Sequence, residues 1–258
     1  MNKTAILLCQ CRDVSQNQFH NESTRQILSG FDADVYVLDD LCALVCNEKS
    51  FFETIQTKYS IKMVLACYSR VVENLFLQNK IPFSFSNVIS YHEIKCEDQL
   101  AQKLAESGIA SGNARFSTVK SLLGVPSWYP VIDRSRCTNC GKCARFCLFG
   151  VYSFNNQKLD VVNPLSCKNL CPACARTCPS SSIMFPKLAE GGVLAGAVPG
   201  EIRQPVVPGE GNLTSRLSQR NQLHQSVLKR GFLKQAEEER RKALDELKTK
   251  MQQNDQSN

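Results

Sequence analysis

Eight of the fourteen cysteines stand in two runs. Cys137, Cys140, Cys143 and Cys147 read C-x2-C-x2-C-x3-C. Cys167, Cys171, Cys174 and Cys178 read C-x3-C-x2-C-x3-C, with Pro179 directly after. Thiolates are soft ligands for zinc and for iron–sulfur cubes. A four-cysteine zinc site usually pairs two C-x2-C knuckles and leaves no cysteine over. A disulfide scaffold belongs to short secreted chains, and this one has 258 residues. In each run three thiols are spaced tightly enough to wrap one face of a cube. The pattern therefore points to two 4Fe–4S clusters.

These residues resemble the dicluster bacterial-type ferredoxins, in which the fourth thiolate of each run reaches across to the other cluster. The resemblance implies one cluster on Cys137, Cys140, Cys143 and Cys178. The other would take Cys147, Cys167, Cys171 and Cys174. The stretch Cys171-Pro172-Ala173-Cys174-Ala175-Arg176-Thr177-Cys178-Pro179, with Phe185-Pro186-Lys187 beyond it, is shared with such domains. Two departures stand out. The second run has an extra residue in its first loop (Lys168-Asn169-Leu170), and Leu148 replaces the proline expected after Cys147. Neither removes a ligand, but each alters the backbone that hydrogen-bonds to sulfur and so tunes potential.

The other six cysteines gain meaning from the elements that carry them. Residues 4–112 alternate between strand and helix patterns. Strands are expected at Thr4–Cys9, Asp34–Leu38, Lys62–Cys67 and Asn87–Tyr91. Helices are expected at Phe19–Leu28, Ser50–Tyr59, Arg70–Gln78 and Glu97–Glu106. Repeated βα units imply an α/β fold with a parallel sheet. Cys9 and Cys11 follow the first strand, and Cys42 and Cys46 the second. Cys67 closes the third, and Cys96 lies after the fourth. The carboxyl ends of parallel strands share one edge, where ligands bind. Any one of these thiols could equally be a small buried hydrophobe.

The same segment resembles the amino-terminal domain of the flavin-carrying chain of heterodisulfide reductase. Ile6-Leu7-Leu8-Cys9-Gln10-Cys11 is similar to its strand running into a Cys-x-Cys pair. Val64-Leu65-Ala66-Cys67-Tyr68-Ser69-Arg70 is similar to its third strand, which usually has Pro where Ser69 stands. The resemblance implies a third 4Fe–4S cluster on Cys9, Cys11, Cys46 and Cys67, with Cys42 the rival for the middle place. The full reductase chain carries a flavin domain, whereas only Ser111–Arg136 intervenes here. No G-x-G-x-x-G follows a strand, and no P-loop or G-x-S-x-G occurs. The chain therefore offers no flavin or nucleotide site. His20, His92 and His224 fall in no catalytic context, so no catalytic residue is expected.

The expected layout is a Rossmann-like, Cys-rich domain over 1–115 and a small α+β two-cluster ferredoxin domain over 116–187. A flexible linker over 188–212 and a helical, partly disordered tail over 213–258 follow. Trp128, Tyr129 and Pro130 are expected to pack at the junction. Net charge is +7, and residues 116–200 hold 9 Lys/Arg against 3 Asp/Glu. Each cluster with its thiolates brings about two negative charges. Arg136, Lys142, Arg145, Lys168 and Arg176 thus compensate clusters and dock partners, rather than bind nucleic acid, for which no module is present. In the tail, Ala236, Ala243 and Leu244 belong to a thin apolar stripe, fitting a solvated helix or one docked on a partner.

No apolar run reaches membrane-span length and no signal peptide is evident, so thiols and clusters alike suit a reducing cytoplasm. The function expected is electron transfer, within a heterodisulfide-reductase-like or flavin-based oxidoreductase complex. The partner would be a flavoprotein or other oxidoreductase subunit. Alternatives are an iron–sulfur redox or oxygen sensor, and a thiol/disulfide enzyme using the amino-terminal cysteines.

Overall fold

A computed structural model describes residues 3–12, 22–188, 196–200, 234–246 and 248–249. The chain forms two compact units, Met1–Arg134 and Ser135–Asn258.

The first unit is built on a five-stranded, wholly parallel sheet. Its strands are β1 (Thr4–Cys9), β2 (Asp34–Leu38), β3 (Ile61–Ala66), β4 (Asn87–Ser90) and β5 (Arg115–Val119). They lie in the order β4-β3-β1-β2-β5. The helices are α1 (Glu22–Ser29), α2 (Leu41–Asn47), α3 (Lys49–Lys58), α4 (Ser69–Gln78) and α5 (Glu97–Glu106). β1 is central and buried along its whole length, as its continuous apolar run requires of a strand covered on both faces. Ile6, Leu8, Val35, Val37, Met63, Leu65 and Ile89 turn to one face and pack with Leu28 of α1 and Leu100 and Leu104 of α5. Strand side chains alternate, so Leu7 and its register partner Val64 turn to the opposite face. There α3 and α4 supply Phe52 and Phe76, whose rings meet edge to face at 5.0 Å.

Helices therefore cover both faces. The connection after β1 (α1) lies on one face and that after β3 (α4) on the other. These two strands are neighbours, so the carboxyl edge between them is the topological switch point. Adjacent loops diverge there and leave a crevice.

Two elements of this unit lie outside the sequence expectation. Helix α2 is short, and its start is set by Asp40, which accepts from Ala43 N–H at 3.2 Å. Strand β5 reads Arg-Phe-Ser-Thr-Val, is mostly exposed and lacks an apolar alternation. It holds its place by backbone pairing to β2 and by Arg115 on Asp34 at 2.6 Å. It carries the sheet past residue 115, where a domain boundary was expected; the compact units divide at Arg134 instead. The residues in between pack on the first unit. Trp128 and Tyr129 are buried, and the short strand β6 (Val131–Ile132) lies against α4. The amino-terminal part of the helix expected at Phe19–Leu28 lies outside the described residues.

Asp40 ties this packing together. It is 1% exposed and also accepts from Ser127 N–H and Ser127 O–H, each at 2.9 Å. Removing it forfeits a helix cap and the buried hydrogen bonds it accepts from Ser127. Asp40→Ala is expected to lower stability by about 2–4 kcal/mol, and Asp40→Asn by less. Urea unfolding followed by circular dichroism reads the difference.

The second unit holds α6 (Lys142–Phe146), a hairpin of β7 (Tyr152–Asn155) and β8 (Lys158–Val161), α7 (Ala173–Thr177) and β9 (Ile183–Met184). The hairpin turns on Asn156 and Gln157, both with positive φ (48° and 58°), the geometry of a two-residue turn that matches strand twist. Part of the Gly/Pro-rich stretch expected as linker is packed on this unit. Ala197 is buried and its N–H bonds to Ile183 at 3.1 Å. Gly196 has φ +86°, and a Cβ there would meet the Cβ of Ala175 at 2.5 Å. Residues 234–246 form a helix, as expected for the tail. The stretches 201–233 and 250–258, with the expected break at Gly231, lie outside the described residues. No helix among the described residues is long and apolar enough to cross a membrane.

Candidate iron–sulfur sites

The two cysteine runs fold alike. In each, the third cysteine sits inside a five-residue helix, Cys143 in α6 and Cys174 in α7. The fourth is the residue directly after it, Cys147 and Cys178. The second cysteine follows a residue with positive φ, Asn139 (51°) or Leu170 (58°). The extra residue of the second loop is thus taken up between Cys167 and Leu170, ahead of the repeat. Helices α6 and α7 pack against each other, which carries each fourth cysteine toward the opposite run.

The charge environment of the thiols follows from this packing. Burial, then the neighbouring Cys178, Cys137 and Cys140, push the Cys143 thiol up to about 12, a backbone N–H opposing. Burial, then Cys171 and Cys147, push Cys167 up to about 12. Burial raises Cys174 well above the ordinary thiol, with Cys167, Cys171 and Cys143 adding to it. Cys143 therefore shares its surroundings with Cys178 from the other run, and Cys167 shares its own with Cys147.

Hydrogen bonds to sulfur differ between the groups. Tyr152 O–H donates to Cys174 Sγ at 3.1 Å. Cys178 Sγ receives Ser182 N–H at 3.4 Å and lies 3.2 Å from the Ser182 hydroxyl. Burial raises Cys178, but bonds from Ser180 and Ser182 outweigh it and leave the thiol below its usual value. Gly141 has φ +70°, and a Cβ there would meet the Phe154 ring at 2.7 Å. The hairpin thus closes against the first loop through Phe154 and braces the second run through Tyr152.

Single-ion coordination would draw sulfurs to about 2.3 Å from one point. Among the described residues no group of three or more His, Cys, Asp or Glu side chains is placed to hold one metal ion. Thiols that raise one another's pKa, with Cys143, Cys174 and Cys178 buried, are a donor set that fits the cube and gains from it, since binding removes the protons.

At the switch point of the first unit, Cys9 is buried, and Cys11 and Cys67 are half-buried. Burial, then Cys11, raise the Cys9 thiol well above normal, with Asp40 and Cys67 adding. Burial, then Cys67, Cys11 and Cys9, raise the Tyr91 hydroxyl. Three of the four expected rim thiols thus share one pocket of charge. Cys11 has φ +42°, a bend that turns the chain directly after the Cys-x-Cys pair. Cys46 sits on α2, its Sγ 3.7 Å from Asn79 Oδ1. It is raised to about 11 by burial, with Asp40 adding and Tyr129 and Lys49 opposing. With Cys9 it shares the influence of Asp40. Cys42 is half-buried on the same helix, and its carbonyl accepts from Tyr129 O–H at 2.6 Å. Cys96 is exposed and stands at the start of α5.

Sequence reasoning missed Tyr152, Ser180, Ser182 and Tyr129 as groups acting on thiols. No motif marks them, because their positions follow from the hairpin and the junction packing.

Residues 129–152 match the family described as 4Fe-4S binding domain. A segment of 61 residues is 49% identical to an uncharacterized ferredoxin of Methanocaldococcus jannaschii. The chain carries a 4Fe–4S ferredoxin domain. The match covers 23% of this chain and 42% of that ferredoxin, so the chain spans less than half of the relative's length. No solved structure matches.

Proposed function

We propose that this chain relays electrons between redox proteins through two, and with the rim thiols three, 4Fe–4S clusters. The observation that supports the reading is that Cys143 feels the charge of Cys178 and Cys167 that of Cys147, each from the other run. One cluster would be held by Cys137, Cys140, Cys143 and Cys178, and the other by Cys147, Cys167, Cys171 and Cys174. A third would sit on Cys9, Cys11 and Cys67, with Cys46 or Cys42 completing it. When bound, such clusters supply one-electron chemistry over a wide range of potential.

The chain's own residues set the conditions. Burial of Cys143, Cys174 and Cys178 excludes water from the inner sulfurs, which favours electron movement over loss of the cube. Donors on sulfur stabilise the reduced, more negative state and raise its potential. Cys178, with Ser180 and Ser182, is the more heavily donated group, and Cys174 has Tyr152. The two clusters would therefore differ in potential, and a gradient directs a relay.

The setting we infer is a heterodisulfide-reductase-like or flavin-based complex, with flavin on a different chain. Thiol chemistry by the amino-terminal cysteines fits less well. A catalytic thiol needs a lowered pKa, whereas Cys9 and Cys46 are both raised.

Iron and acid-labile sulfide on anaerobically purified protein test the reading. About eight of each per chain is expected from the two runs, and about twelve with the rim site. Reduced samples should show interacting paramagnetic signals. Zinc without iron would overturn it.

A further inference from the structure

The tail helix is docked on the cysteine-bearing unit by acid–base pairs. Glu239 is paired with Arg176 of α7, whose side chain is 3% exposed. Glu246 holds Lys168 at 2.5 Å, and Lys168 is the residue directly after Cys167. Apolar support is slight, since Ala236 and Ala243 are the buried residues of this helix. Arg240 lies over the Phe146 ring at 5.6 Å.

Glu239 and Glu246 are seven residues apart, two turns, so their carboxylates lie on one face about 10 Å apart along the axis. On the other side of the helix the fit is poor in charge. A cleft of about 590 Å³ is lined by Lys142 and Arg145 from α6 and by Arg240 and Arg241 from the tail. Cations thus face cations there, with Glu237 the acidic residue of that lining. Among the described residues the carboxylates of Glu239 and Glu246 hold the tail while like charge lines the cleft beside it, a balance that a better acidic occupant can tip.

We propose that the basic face of α6, α7 and the second cysteine loop docks an acidic partner protein, and that the tail helix occupies this face in cis as a displaceable cover. This rests on the electron-relay reading. A partner with carboxylates about two helical turns apart would take over Arg176 and Lys168 and bring additional acids to Lys142 and Arg145. It would meet the chain beside Cys167 and Cys171, where Leu170 is also exposed. Approach would be steered by charge and weakened by salt.

The probe is fluorescently labelled poly-L-glutamate, titrated into the anaerobic full chain at low ionic strength. Glu239→Gln with Glu246→Gln should bind about tenfold more tightly than wild type, and the gain should fade as salt rises past a few times 0.1 M. Glu238→Gln with Asp245→Gln makes the same charge change at exposed positions and should gain far less. Adding Lys168→Gln to the first pair should remove much of the gain. In wild type, bound polyglutamate should speed hydrogen exchange in residues 234–246. Equal affinity of wild type and the first pair, an equal gain in the charge control, or binding with no change in tail exchange would each overturn the proposal. Iron assayed on the same samples separates the two readings, because loss of the electron-relay reading shows there and not in the binding curve.

Discussion

Cys178→Ala is expected to remove about four of the eight irons bound by the two runs, and to take them from the cluster of the first run. Cys178 lies directly after α7, yet its thiol acts on Cys143 in α6. Double variants make the assignment decisive without a structure. If Cys178 and Cys143 serve one cube, Cys178→Ala with Cys143→Ala loses no more iron than either alone. Cys178→Ala with Cys174→Ala then strikes both cubes and leaves almost none. An uncrossed arrangement reverses the two outcomes. The effect on folding should also be large. So small a domain draws on its metal sites for stability, on the order of 10 kcal/mol for structural metal sites. Thermal unfolding of the Cys178→Ala protein should begin in the second unit. Ser180 and Ser182 lose their sulfur partner there, and α7 loses the anchor at its end.

Much of this was legible in the cysteine spacing. The spacing depends on local chain geometry, because three ligands within one loop must reach one cube whatever the rest does. The parallel sheet was legible for a similar reason. β1, β2 and β3 are runs such as Ala5–Leu8 and Met63–Ala66, apolar enough to demand cover on both faces. Strand β5 was not, because its five residues bury little and are held by backbone bonds and by Arg115, which no periodicity reports. Helix α2 escaped because its seven residues, with Cys42 and Cys46 among them, are too short for a 3.6-residue period to declare itself. Placing Cys42 and Cys46 against Tyr129 needed the packing of residues 120–134, which is long-range. The strand order was beyond the sequence too, and with it the fact that Cys9 and Cys67 lie on the two strands that flank the switch point.

That order motivates the second large effect. If the rim thiols hold a cluster, Cys67→Ala and Cys11→Ala should each lower iron from about twelve to about eight per chain. The paramagnetic signals of the other two clusters should stay as they are. β1 and β3 are adjacent and parallel, with Leu8 level with Leu65, so Cys9 and Cys67 leave the sheet side by side. The left-handed Cys11 then bends the chain so that a second thiol of the pair shares that crevice. The remaining ligand must come from α2, which starts beside them at Asp40. Cys46→Ala and Cys42→Ala decide between its two thiols, since the true ligand loses about four irons and the other none. Wild-type protein with about eight irons, unchanged in every one of these variants, would leave Cys9, Cys11 and Cys67 as packed thiols. The first unit would then serve to dock the relay's partners and not to extend it. Cys9 and Cys46 are too buried and too raised in pKa to stand as exposed nucleophiles. Iron counting then separates a metal cluster from packed thiols at this edge.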